Sequence, residues 1–374
     1  IDMTASGEKV NTTGSAITIE SGVTTATIQG DGSDTINVVG SLTALSLSGQ
    51  SNTVTMTGGT LTFVNGAAAT VNGKSNTINE TNASDVITKD SGNILNVTGS
   101  NNTATLADGS TVNVGTSSQS GIVTLTGNSF NIKENGSSSN VVTSGTGMVL
   151  DILGSNNRAT VASGKITVEA GASANLSGDS NAITDRSTGT ITTSGSGNTI
   201  DVVSSGAHSI SMTAGSVKLE SGANATITGN NDTVTLLGGN TATVTGTGET
   251  YMFGTGAGQD TIAAPRGNNT GVVDFGTNLT DENLWLVQSG NNLQIDILGT
   301  KDSLTINDWF GGTPVAAVQS FATTDGLKLD SQVAQLVSAM ASYSSHNTGF
   351  NPTSATQMPS DTTLQNAIAA AWHH

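Results

Sequence analysis

The chain has 374 residues, with 47 glycines, no cysteine, 3 % aromatic residues and 11 basic against 28 acidic residues, a formal net charge of −17. That length holds two or three ordinary domains or one long repeat array, and the shortage of aromatic side chains favours the array over a conventional globular core. The charge disfavours nucleic acid and anionic membranes as partners, the absence of cysteine excludes a disulfide framework, and no apolar run is long enough for membrane insertion.

The chain opens at Ile1 without a basic-then-apolar leader, which reads as a processed or partial chain. Residues 1–15 are polar and are a candidate for a strand donated to a neighbouring copy. From there to about residue 250 one phrase recurs: small polar residues, then Asn or Asp, then Thr, then a β-branched residue. Copies include Ser33-Asp34-Thr35-Ile36, Ser51-Asn52-Thr53-Val54, Ser75-Asn76-Thr77-Ile78, Asn101-Asn102-Thr103-Ala104 and Asn156-Asn157-Arg158-Ala159. Ser180-Asn181-Ala182-Ile183, Gly197-Asn198-Thr199-Ile200 and Asn231-Asp232-Thr233-Val234 continue the series. Gly and Asn tolerate left-handed backbone angles, so each phrase predicts a tight turn, and the alternation that follows, as in Thr53-Val54-Thr55-Met56-Thr57, predicts a short strand.

The anchors recur at about 24 to 28 residues over most of the array, with shorter steps from Asp34 to Asn52 and from Asn181 to Asn198. Two or three short strands between Gly-rich corners describe one coil of a parallel β-solenoid (β-helix), and the spacing predicts roughly nine or ten coils. Asn at equivalent corners is expected to form a ladder. The rival is an array of β-sandwiches. It is disfavoured because residues 1–250 hold no Trp or Tyr to bury.

Composition changes near Tyr251; all three Trp and both Tyr follow Thr250. Gly254-Thr255-Gly256-Ala257-Gly258-Gln259-Asp260-Thr261-Ile262 resembles one copy of the RTX calcium-binding nonapeptide. The resemblance implies calcium as a cofactor, with Gly256, Gly258 and Asp260 at the metal site. Thr255 departs from the pattern and no tandem copy follows. The next segment runs through Val272-Val273-Asp274-Phe275, Leu284-Trp285-Leu286, Asn292-Leu293-Gln294-Ile295-Asp296-Ile297 and Asn307-Asp308-Trp309-Phe310 to Asp325-Gly326-Leu327-Lys328-Leu329. It is similar to the haemolysin-type calcium-binding-protein-related domain of type I secreted bacterial proteins. The similarity covers about residues 254–337 and implies export by the type I secretion machinery and an extracellular β cap, without implying one activity.

In the tail, Val333, Leu336, Val337 and Met340 lie at helical spacing, and Asp361 stands as an N-cap before a second short helix. Such a tail is similar to an uncleaved type I signal. His373 and His374 are candidates for tag remnants. The organisation read from the sequence is therefore residues 1–253 as solenoid repeats, 254–337 as the RTX-related cap and 338–374 as secretion signal.

No catalytic constellation emerges. Arg158, Arg186 and Arg266 are the only arginines, and His208 and His346 stand alone in the sequence, which leaves an acidic-polysaccharide lyase without its base and cations. His208 reads as an ordinary surface or corner residue. There is neither a nucleophile elbow with recognisable partners nor a His-Glu-x-x-His zinc motif. Asp31, Asp34, Asp179 and Asp232 fall in predicted turns, where backbone capping is favoured over calcium ligation. Trp309 and Phe310 read as packing anchors of the cap rather than sugar binders.

These readings predict a non-catalytic, secreted structural or adhesive protein of the bacterial cell surface or matrix. It would assemble with copies of itself, with surface polysaccharide as a further partner. The alternatives are the secretion and repeat portion of an RTX-type enzyme whose catalytic part lies upstream and, less favoured, an ice-binding solenoid. Thr-x-Thr runs such as Thr241-Ala242-Thr243-Val244-Thr245 do not recur along the sequence in one uniform register.

Overall fold

A computed structural model describes residues 1–64, 66–116, 118–220, 222–263, 271–312 and 318–374. The chain is an all-β parallel solenoid of about 15 turns with two short C-terminal helices. It divides into two compact units, Ile1–Ile183 and Thr184–His374.

In Ile1–Ile183 each coil gives one short strand to each of two parallel sheets. Ala16–Ile19, Thr35–Val38, Asn52–Thr55 and Ala68–Asn72 follow one another in the first sheet. Thr25–Gly32, Ala44–Leu47, Thr60–Phe63, Thr77–Glu80, Ile94–Val97 and Thr111–Val114 do so in the second. Most strands are four residues long, and alternation buries two side chains of each. Identical register then stacks like on like: Leu45, Leu61, Ile78, Leu95 and Val112 form one buried column. Each coil buries little by itself, and the stack supplies the core.

The repeat is shorter than the sequence spacing implies. Equivalent corners lie 17 residues apart from Asn76 to Asn93 and 18 from Asp34 to Asn52. The nine or ten coils expected from the phrase are therefore too few. Every coil has two corners, and the phrase marks only some of them. A step such as Asn52 to Asn76 crosses from one corner to the other and spans a coil and a half. The unmarked corners are filled by Ser84, Ser110, Phe130 and Met148, all buried.

The phrase itself has a backbone explanation. The residue just before the anchor is left-handed: Ser33 (φ 61°), Ser51 (58°), Ser75 (58°), Asn101 (60°) and Asn231 (58°). One such residue turns the chain, and the anchor that follows points inward to cap a backbone N–H of the preceding coil. At the corners a few glycines are dictated by crowding. A Cβ on Gly73 would lie 1.9 Å from the Met56 carbonyl oxygen of the adjacent coil.

In Thr184–His374 the same two-sheet pattern runs through Thr199–Val202, Ser216–Leu219, Thr233–Leu236, Thr250–Phe253 and Gly271–Phe275 on one side. On the other side are Gly206–Ser211, Ala223–Thr228, Thr241–Thr245 and Gln259–Ile262. The parallel ladder passes residue 253 without a break, since Phe253 pairs with Phe275. The change near Tyr251 is one of inward side-chain size, with Tyr251, Phe253, Phe275 and Phe321 fully buried.

The ladder then changes sense. Ser303–Ile306 pairs in parallel with Gln259–Ile262 but antiparallel with Asn292–Ile297, which pairs antiparallel with Leu284–Ser289. Helix α1 (Val333–His346) covers this hairpin with the buried Val333, Leu336, Val337 and Met340, the face its spacing predicts. The Leu286 N–H meets Met340 Sδ at 3.1 Å, and Trp285 packs against Tyr343 and Phe350 at 5.9 and 4.4 Å between ring centroids. Helix α2 (Thr362–Ala371) starts as expected, with Asp361 accepting from the Leu364 N–H at 2.9 Å. Among the described residues no helix is long and apolar enough to cross a membrane.

Candidate functional site

Three sets of polar groups are candidates for chemistry: a buried acid–base pair, the glycine loop at residues 256–260, and the corner carboxylates.

The acid–base pair overturns the surface or corner placement expected for His208. Asp185 ends its strand (Ala182–Asp185) at an inward position, and His208 is inward in Gly206–Ser211. Both side chains are 0 % exposed, and His208 Nδ1 lies 2.7 Å from Asp185 Oδ2. Asp185 Oδ1 accepts from the Ser187 N–H at 2.8 Å and the Ser187 hydroxyl at 2.7 Å. His208 Nε2 faces the Ser204 carbonyl at 3.2 Å, while the Ser204 hydroxyl donates to the Ser187 carbonyl.

Burial pulls the His208 pKa down. The hydrogen bond and charge of Asp185, with the Ser204 carbonyl, outweigh it, and the net shift is upward. An acceptor facing each ring nitrogen favours the protonated imidazole, which has no lone pair to act as base. The Asp–His–Ser composition resembles a nucleophilic triad, but the Ser204 hydroxyl is turned to a carbonyl and the carboxylate and imidazole are sealed from solvent. The arrangement is a buried polar clip.

At the glycine loop the amides, rather than the carbonyls, face the charge. The Gly256 N–H donates to Asp302 Oδ2 at 2.7 Å and the Gly258 N–H to Asp302 Oδ1 at 2.9 Å. Asp260 is buried, its Oδ1 accepting from the Asn240 N–H at 2.6 Å and its Oδ2 unbonded. Burial pushes Asp260 up to about 6, against the Asn240 and Gly239 amides. Calcium needs six to eight oxygen ligands. The loop is instead a nest of N–H donors around a carboxylate. Gly256, Gly258 and Asp260 as arranged do not fit a calcium shell. Among the described residues no group of three or more His, Cys, Asp or Glu is placed to hold a metal.

The turn carboxylates cap backbone. Asp34 Oδ1 accepts from the Ser15 N–H at 2.8 Å, and Asp232 Oδ1 from the Gly215 N–H at 3.0 Å. Asp179 is exposed in its turn, whereas Asp31, expected in a turn, is exposed within the strand Thr25–Gly32. Two corner ladders result. In one, Gly59 N–H reaches Asn76 Oδ1 and Asn76 N–H reaches Asn93 Oδ1, at 3.3 and 2.9 Å. In the other, Asp34 N–H reaches Asn52 Oδ1 at 3.0 Å. The expected Asn ladder thus runs through backbone donors and accepts Asp in the same slot.

Trp309 packs on Phe321 at 5.4 Å, as a packing anchor does, and Phe310 is half-buried. Arg158 points outward from the first sheet, His346 caps the Ser342 carbonyl at 2.8 Å, and Arg266 lies outside the described residues. Some Thr-x-Thr runs do stack in register: Thr226 and Thr228 lie beside Thr243 and Thr245, with Ser209 and Ser211 before them. The array is interrupted beyond, where Ala263 follows Thr261.

No protein-family model matches the chain.

Proposed function

We propose that the protein is a non-catalytic, secreted structural or adhesive scaffold of the bacterial cell surface or matrix, acting through association with copies of itself. The observation that supports this most is where its polar chemistry is used. Many corner groups, and some inward ones, are engaged in binding coil to coil, as the Gly59–Asn76–Asn93 ladder and the Asp185–His208 clip are. Outward positions carry short hydroxyl and amide side chains in repeated register, such as Thr35, Thr53 and Thr70. Repetition suits many weak, identical contacts, which gain strength by multivalency rather than by one deep pocket. Residues 254–337 enter as an RTX-related cap and the tail as an export signal, on the motifs quoted above.

Light scattering and electron microscopy of the purified protein, with calcium and with chelator, test the assembly. Filaments or layers are expected, favoured by divalent cations that screen a net charge of −17. Monodisperse monomers at high concentration in both conditions would overturn self-association.

A further inference from the structure

On the outward face of the second sheet in Ile1–Ile183, three features coincide. The first is a side-chain ladder distinct from the corners. Thr62, Asn79, Asn96 and Asn113 share one register column. Asn79 Nδ2 donates to Thr62 Oγ1 at 3.3 Å, Asn96 Nδ2 to Asn79 Oδ1 at 2.8 Å and Asn113 Nδ2 to Asn96 Oδ1 at 2.8 Å. A primary amide has two N–H donors and two acceptor lone pairs. Asn79 and Asn96 each use one of both along the column. One N–H and one lone pair per amide remain to face outward, repeated at the coil spacing of about 4.8 Å. The ladder also fixes the rotamers, so a ligand need not order them.

The second feature is a wall. The coil after Asn113 is stretched, with Asp108 and Asn128 stacked 20 residues apart against 17 for Asn76 and Asn93. Within the stretch the Thr116 N–H bonds the Gln119 carbonyl at 2.7 Å and the Gln119 N–H returns to the Thr116 carbonyl at 3.2 Å, an isolated antiparallel bridge. The third is a charge: Lys133, exposed, takes the place after Asn113 in the column. Together they bound an open groove of about 740 Å³, lined by the three amides, Thr98, Thr116 and Lys133. Glu80, the acid beside it, is buried.

We propose that this groove binds an extended polysaccharide segment lying along the stacking direction, each sugar addressed by one amide, with a uronate carboxylate at Lys133. Sugar hydroxyls both donate and accept, which matches the paired valences each amide leaves. A peptide strand finds no unpaired edge here, because each strand of the column is paired on both sides. A nucleic acid would need more than one cation in the groove. The assignment rests on the adhesive part of the proposed function, and it is tested on dispersed protein so that it stands or falls apart from self-association.

The test is a glycan array of neutral and acidic polysaccharides, followed by titration of the soluble oligosaccharide that binds. Saturable binding of an oligouronate is expected, several-fold tighter than a neutral oligomer of the same length. Asn96→Leu, an outward substitution, should weaken it at least tenfold with the melting curve retained. Lys133→Ala should erase the preference for uronate. Thr124→Val, outward on the other sheet, should change nothing. Absence of binding to any polysaccharide by the unaltered protein overturns the proposal, and so does binding that Asn96→Leu leaves intact. Should Asn96→Leu fail to fold, an uronate preference that survives Lys133→Ala overturns it.

Discussion

Glu134 ends a strand, Asn131–Glu134, at an inward position that alternation reserves for an apolar side chain, and neither of its carboxyl oxygens finds a partner. Burial pushes its pKa up to about 9; burial, and then the charge of Asp85, push Glu80 up to about 8. Folded, both acids keep a proton that the unfolded chain releases above the ordinary value of 4.5. Their contribution to stability is therefore complete below that value and is lost as pH rises to the folded values, at about 1.4 kcal/mol per pH unit for each acid within its window. Thermal melts at pH 5, 7 and 9 check this. Glu134→Gln should nearly match the unaltered protein at pH 5 and exceed it increasingly at pH 7 and 9; parallel profiles would show that Glu134 ionises at no cost. The inward position of Glu134 is legible in the alternation of Asn131-Ile132-Lys133-Glu134, but its lack of a partner is not. His208 shows the converse. Its partner Asp185 is 23 residues earlier in the chain, and only the register of two different strands brings them together.

At the scale of the strand and corner, one side chain binds two coils. Asn93 Oδ1 accepts from the Asn76 N–H at 2.9 Å, and its Nδ2 donates to the carbonyls of Gly73 at 3.1 Å and Asp90 at 2.7 Å. Asn93 itself is 2 % exposed. Asn93→Ala strands one buried and two part-buried backbone groups, each worth about 1–3 kcal/mol when unsatisfied and buried, with partial hydration and relaxation reducing the total to about 3 kcal/mol. Urea unfolding should show that loss, and Asn93→Asp, which keeps the acceptor and loses the donors, should fall between. A loss below about 1 kcal/mol for Asn93→Ala would mean that the corner is held by its backbone alone. The corners explain which part of the fold could be read in advance. The turn, strand and stacking logic was visible in phrases such as Ser75-Asn76-Thr77-Ile78. Coil length was not, because Ser84, Phe130 and Met148 fill the same slot as Asn and leave no phrase behind. The RTX-like glycines were visible too. What was not visible is Asp302, whose carboxylate accepts from the Gly256 and Gly258 amides and lies 44 residues beyond Gly258.

For the molecule as a whole, the tail has two roles to reconcile. Residues 338–374 are proposed as the export signal, yet position 338 falls inside α1, whose Met340 covers Leu286 while Trp372 after α2 is only 5 % exposed. Deleting those residues would uncover Trp285 and the hairpin that ends the ladder. The resulting loss of secreted protein would report folding as much as export. A fusion separates the two. Residues 333–374, which keep α1 whole, are attached to the C-terminus of a reporter that folds independently and is expressed with a type I exporter. The reporter should reach the medium only when the exporter is present. Two substitutions sharpen the result: Leu336→Asp removes an apolar residue from α1, and Thr124→Val in the 374-residue chain lies far from it in sequence. The first is expected to reduce export of the fusion several-fold, because the helix loses its apolar face, and the second to leave export of the 374-residue chain unchanged. Retention of the fusion in cells that export the 374-residue chain would place the signal outside the tail, and the helices would then serve only to close the end of the solenoid ladder.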